Sequence, residues 1–67
     1  MRNKDFVITG TNFTATYFGT FESVKKYVLQ ESKMNGLIIV RLSGSERILF
    51  AACDGKNVTS RYTANSK

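Results

Sequence analysis

The chain has 67 residues, 42% hydrophobic and 22% charged, a balance that suits one folded domain and excludes a disordered tail. Ten Lys and Arg against five Asp and Glu give a net charge of +5, which favours nucleic acid, an anionic surface or an acidic protein as partner. With one cysteine and no histidine there is no intrachain disulfide and no structural zinc set, so oligomerisation or docking remains to reinforce a core that is thin below roughly 70 to 80 residues.

Residues 1–67 read as a single domain with loose ends at about 1–3 and 64–67. The start, Met1 to Asp5, is polar, and the apolar run Phe6-Val7-Ile8 stops at Thr9, which does not fit a secretory signal. The longest apolar run, Leu37 to Val40, falls far short of the ~20 residues of a membrane helix, so a cytoplasmic chain without a membrane partner is expected.

Asp5 to Thr9 and Asn12 to Phe18 are rich in β-branched and aromatic residues around Gly10-Thr11, a Gly-first pair suited to a two-residue hairpin turn. That turn pairs Ile8 with Phe13 and Phe6 with Ala15, while Val7 faces Thr14 and Asp5 faces Thr16. Gly19 breaks the strand, and Thr20 caps a helix from Phe21, with Glu22 in the first turn where the helix dipole favours negative charge. Phe21, Val24, Tyr27 and Val28 share one side of that helix, and Glu22, Lys26, Gln30 and Lys33 the other. Asn35-Gly36 supplies the left-handed residue that ends it.

Leu37 to Leu42, Arg47 to Cys53 and Lys56 to Tyr62 then read as three strands, joined through Gly44-Ser45 and Asp54-Gly55. Asp-Gly between strand-like runs is the strongest hairpin signal in the chain. Asn12-Phe-Thr14 and Asn57-Val-Thr59 fit the glycosylation acceptor pattern but read as strand and turn polar residues. The expected fold is α+β: an antiparallel sheet with one helix packed on it, in the order ββαβββ.

Two-residue turns fix the register of the last three strands, and the alternation of side chains then assigns each to a face. Ile38, Val40, Leu42, Leu49, Ala51, Cys53, Val58 and Tyr62 fall on one face, the expected seat of the helix. Leu37, Ile39, Ile48, Phe50 and Ala52 fall on the other with Arg41, Asn57, Thr59 and Arg61. One helix cannot cover both, so Ile39, Arg41, Ile48, Phe50 and Arg61 are the candidate partner-binding residues, apolar in the centre and cationic at the rim. The alternative is that the first hairpin folds over this face or the sheet curls, making Phe50 ordinary core.

The chemistry of an enzyme is not legible here. Histidine is missing, no carboxylate pair is placed to divide acid and base roles, and Cys53, with no base beside it, reads as a small core residue. No phosphate-loop or dinucleotide pattern occurs, and no cofactor, metal site or small-molecule substrate is expected. The glycines punctuate turns and the helix end.

The stretch Tyr17 to Tyr27 resembles the strand-to-helix junction of small DNA-reading domains of the integrase-arm type, in which a sheet enters the major groove. Those domains place three strands before the helix where this chain has two, so no family is assigned. Two functions are expected from the pattern. One is a non-enzymatic protein-binding module, a regulator or inhibitor of the kind phages and mobile elements encode, acting on an acidic protein partner. The alternative is a basic, dimeric nucleic-acid-binding domain contacting phosphates with Lys25, Lys26, Arg41, Arg47 and Arg61. Homodimerisation through the uncovered face is a separate expectation.

Overall fold

A computed structural model describes residues 3–63; the ends at 1–2 and 64–67, expected to be loose, lie outside the described residues. In chain order the elements are β1 (Lys4–Thr9), β2 (Thr14–Gly19), α1 (Phe21–Asn35), β3 (Ile38–Leu42), β4 (Ile48–Cys53), β5 (Lys56–Asn57) and α2 (Ser60–Thr63). The strands form one antiparallel sheet ordered β2-β1-β3-β4-β5, with α1 packed on one face. The α+β class and the order ββαβββ are as the sequence implies; the last strand is much shorter than Lys56 to Tyr62, and the chain turns into α2 instead.

The ends of α1 follow from local chemistry. The Thr20 hydroxyl accepts from the Ser23 N–H at 3.2 Å, satisfying one of the helix's orphan donors, and Glu22 sits in the first turn. Gly36, at φ 73°, donates its N–H to the Ser32 carbonyl at 3.0 Å and releases the chain toward β3. Val24 and Val28 are fully buried among Phe6, Ile8, Ile38, Val40, Phe50 and Ala52, each worth about 1.5 to 3 kcal/mol of burial. Phe21 and Tyr27 flank this stripe: Phe21 stacks on Phe6 at 6.1 Å between ring centroids, and Tyr27 tilts against Tyr17 at 5.3 Å. Both rings stay partly exposed.

The first hairpin is looser than the two-residue turn expected. Thr9 pairs with Thr14, Ile8 with Ala15, Val7 with Thr16, Phe6 with Tyr17 and Asp5 with Phe18, so residues 10 to 13 form the loop. Because the offset is two residues, every side chain keeps its expected face. Gly10 owes its place to Phe13: a Cβ at Gly10 would overlap the Phe13 ring.

The β3–β4 hairpin departs in a way that matters more. Arg41 pairs with Ile48 as expected, but Val40 pairs with Phe50, Ile39 with Ala51 and Ile38 with Ala52, because the register shifts between Val40 and Arg41. Leu49 is thus an extra residue, a β-bulge that reverses the faces of everything after it. Phe50 and Ala52 turn to the helix side, Phe50 with only 4% of its surface exposed, while Ala51, Cys53 and Val58 pass to the outer side. Phe50 therefore belongs to the core and not to the uncovered face. Cys53 is half-buried on the outer side, and its thiol lies 3.7 Å from Asp54 Oδ2.

The Asp54-Gly55 turn is as expected, with both residues at positive φ (55° and 80°), the mark of a two-residue turn whose twist suits a hairpin. Ser32, fully buried on α1, fixes this turn to the helix: its Oγ donates to the Leu29 carbonyl at 2.9 Å and accepts from the Gly55 N–H at 2.8 Å.

Beyond Asn57 the ladder ends through side chains. Val58 N–H donates to the Ala51 carbonyl at 2.9 Å. The Thr59 hydroxyl then accepts from the Ala51 N–H at 3.0 Å and lies 2.6 Å from Asn57 Oδ1. Asn57 Oδ1 also accepts from the Thr59 N–H at 2.9 Å, so the Asn57-Val-Thr59 triplet is indeed a turn device. Tyr62 and Thr63 N–H groups bond the Thr59 carbonyl, opening α2 against β4.

Candidate functional site

The sheet face turned away from α1 is built in cross-strand rows. One row runs Thr16, Val7, Arg41, Ile48; the next runs Thr14, Thr9, Ile39, Ala51; Phe18 and Asp5 pair beyond the first. Ala51 is fully buried, under the outer-side continuation through Val58 and Thr59. Val7, Thr9, Ile39, Arg41 and Ile48 remain half-exposed, and Thr14, Thr16 and Phe18 exposed. Among the described residues, the face away from α1 is thus closed over the Ala51 end of β4, bordered by α2 beside Ile48, and open over β2, β1 and β3.

Of the candidate partner-binding residues, the structure groups Ile39, Arg41 and Ile48 on this face and removes Phe50 to the core. Arg61 is exposed on α2, the short helix packed against β4. Arg41 is held rather than free: its Nε donates to the Glu46 carbonyl at 3.3 Å, which anchors the guanidinium over the Ser43–Arg47 connection. Beside Ile39 and Arg41 a shallow recess of about 230 Å³ is lined by Thr9, Gly10, Thr11 and Leu37. It is smaller than the ~300 to 1,000 Å³ of a small-molecule site.

The five cations of the nucleic-acid alternative do not share a surface. Lys25 and Lys26 belong to α1, on one side of the sheet, and Arg41 projects from the other. Lys25 is also engaged locally, with Nζ 3.2 Å from Glu22 Oε2 and 4.7 Å from the centre of the Phe21 ring. Arg47 and Arg61 are exposed near β4.

Three features were not singled out from the sequence. Phe18, 68% exposed, stands on the outer face at the edge of the sheet; its alternation with Thr14 and Thr16 was readable. Tyr62, placed by the expected strand on the helix face, instead lines a recess with Ile48, Leu49 and Thr59 beside α2. A recess of about 480 Å³ at the start of α1 is lined by Phe6, Phe21, Leu42 and Leu49, with Lys4, Thr20 and Glu22. No sequence signal marks it, because its walls are core residues reaching the end of the layer.

Among the described residues no group of three or more Asp, Glu or Cys side chains is placed to hold a metal ion, and no helix is long and apolar enough to cross a membrane. Comparison with family models, with curated proteins and with solved structures returned no match.

Proposed function

We propose that this chain is a small non-enzymatic protein-binding module, a regulator or inhibitor that seats an acidic protein partner on the outer face of its sheet. Ile39 and Ile48 would supply the apolar contact, Arg41 the central cation and Arg61 the rim. The observation carrying this reading is the half-exposed row Val7, Arg41, Ile48 beside Ile39 on the face turned away from α1, with α2 only at its β4 margin, in a chain of net charge +5. An apolar patch of this kind with a fixed arginine suits a surface that is acidic around a hydrophobic knob, and the overall charge steers such a partner in.

The test is capture from the native host by the wild-type chain and by an Ile39→Asp/Arg41→Glu variant, followed by titration of the purified partner at two salt concentrations. Support is an acidic protein retained by the wild type, lost by the variant, and bound more weakly as salt rises. Equal capture by both chains defeats the reading. Binding to mixed DNA or RNA, falling steeply with salt and abolished by Lys25→Glu/Lys26→Glu, would put the nucleic-acid alternative in its place.

A further inference from the structure

The open edge of the sheet supports a second inference, independent of the outer face. The Ser43 N–H donates to the Asp5 carbonyl at 2.9 Å, so the backbone of Asp5, and by alternation that of Val7 and Thr9, points to β3. Lys4, Phe6 and Ile8 therefore bond β2, through Gly19, Tyr17 and Ala15; the Gly10 N–H to Phe13 carbonyl bond at 2.8 Å fits the same alternation. What remains on β2 is the backbone of Thr14, Thr16 and Phe18, directed out of the sheet where no further strand lies among the described residues.

Such an edge normally carries a lysine, a proline, a bulge or a covering segment that blocks pairing with another chain. β2 has no lysine, proline or bulge, and among the described residues no segment covers it: it reads TATYFG and pairs in unbroken register with β1. From Phe6 to Phe21 there is no charged residue at all, although the chain carries 15 elsewhere.

We propose that two copies of this chain join β2 to β2, antiparallel about a two-fold axis at Thr16, into one continuous ten-stranded sheet. This register sets Thr16 opposite its own copy and Thr14 opposite Phe18 in both directions, the one alignment that engages all three outward residues of each strand, in about six hydrogen bonds. On the helix side it places exposed Ala15 opposite half-buried Tyr17, a small side chain against a large one. A second copy is the occupant because the strand is self-complementary and uncharged. An acidic partner finds no cation there, whereas two like-charged copies meet along the segment that carries no charge.

The experiment is sedimentation of the whole chain across concentrations up to about 1 mM, with Thr16→Lys and Thr16→Pro beside the wild type. The Thr16 N–H points outward and the side chain lies on an open face, so both variants keep the intrachain pairing, which melting temperature and circular dichroism verify. The wild type is expected to approach twice 7.5 kDa, and both variants to stay at the single-chain mass. In a Cys53→Ser background, Thr16→Cys is expected to oxidise to a disulfide-linked pair at least about tenfold faster than Ser45→Cys in the exposed turn, since opposed Cα atoms at ~5.5 Å accept a disulfide. A wild-type chain at the single mass throughout, dimerisation undiminished in folded variants, or equal cross-linking at 16 and 45 each overturns the proposal. None of these readouts involves the acidic partner, so this inference and the proposed function fail separately.

Discussion

At the β5 end of the sheet the chain pairs for two residues, after which the Thr59 hydroxyl takes the Ala51 N–H and α2 turns back over β4. At the β2 end six residues run the length of the layer with their outward backbone unclaimed by any strand among the described residues. The difference lies less in composition than in direction, since both ends are rich in threonine. Thr59 aims its oxygen into the plane of the sheet and substitutes for a strand; Thr14 and Thr16 stand on the pleat and leave the edge as it is. Closing an edge in so small a chain thus takes one hydroxyl and one reversal of direction, and among the described residues this happens at the β5 end and not at the β2 end.

The contrast between shielded and open regions can be broken most severely at Phe50. Phe50→Ala should destabilise by about 3 to 5 kcal/mol, measured by urea unfolding at low chain concentration, whereas Phe18→Ala should stay within about 0.5 kcal/mol. A loss at Phe50 as small as that at Phe18 would mean that the bulge at Leu49 is not where the register places it. Next in size is Thr59→Val, which keeps the shape but leaves the Ala51 N–H without its acceptor; a cost of about 1 to 3 kcal/mol is expected. Thr20→Ala removes the helix cap just after the open strand and should cost about 1 kcal/mol, visible as a lower melting temperature with the β5 end still protected. The smallest effect belongs to Thr16→Val. The same exchange as at Thr59, made on the open edge, should change unfolding free energy by no more than about 0.5 kcal/mol.

What could be read from the amino acids follows the local character of each signal. The Thr20 cap, the Gly36 stop and the Asp54-Gly55 turn are decided within a few residues, and each stands where the pattern put it. The first hairpin lies two residues from the register that Gly10-Thr11 implies, because Gly10 makes room for the Phe13 ring and does not itself form the turn. The bulge was invisible for a different reason. From Ile48 to Cys53 every residue is apolar, so no polar alternation marks which side chains face in, and only the packing of Phe50 against Val24 and Val28 selects the shifted register. That single extra residue took Phe50 out of the candidate surface while leaving Ile39, Arg41 and Ile48 together. α2 was hidden inside a strand-like Val58-Thr59, whose β-branched pair served a turn and a cap instead.

Ser32 offers a consequence of another kind. Gly55 occupies a hairpin tip, a place where amide protons ordinarily trade quickly with deuterium, yet its proton is captured by an oxygen carried on α1 at 2.8 Å. Its exchange rate should therefore report how often the β4–β5 hairpin tip and α1 part from each other, and one magnetic resonance signal would follow that local opening.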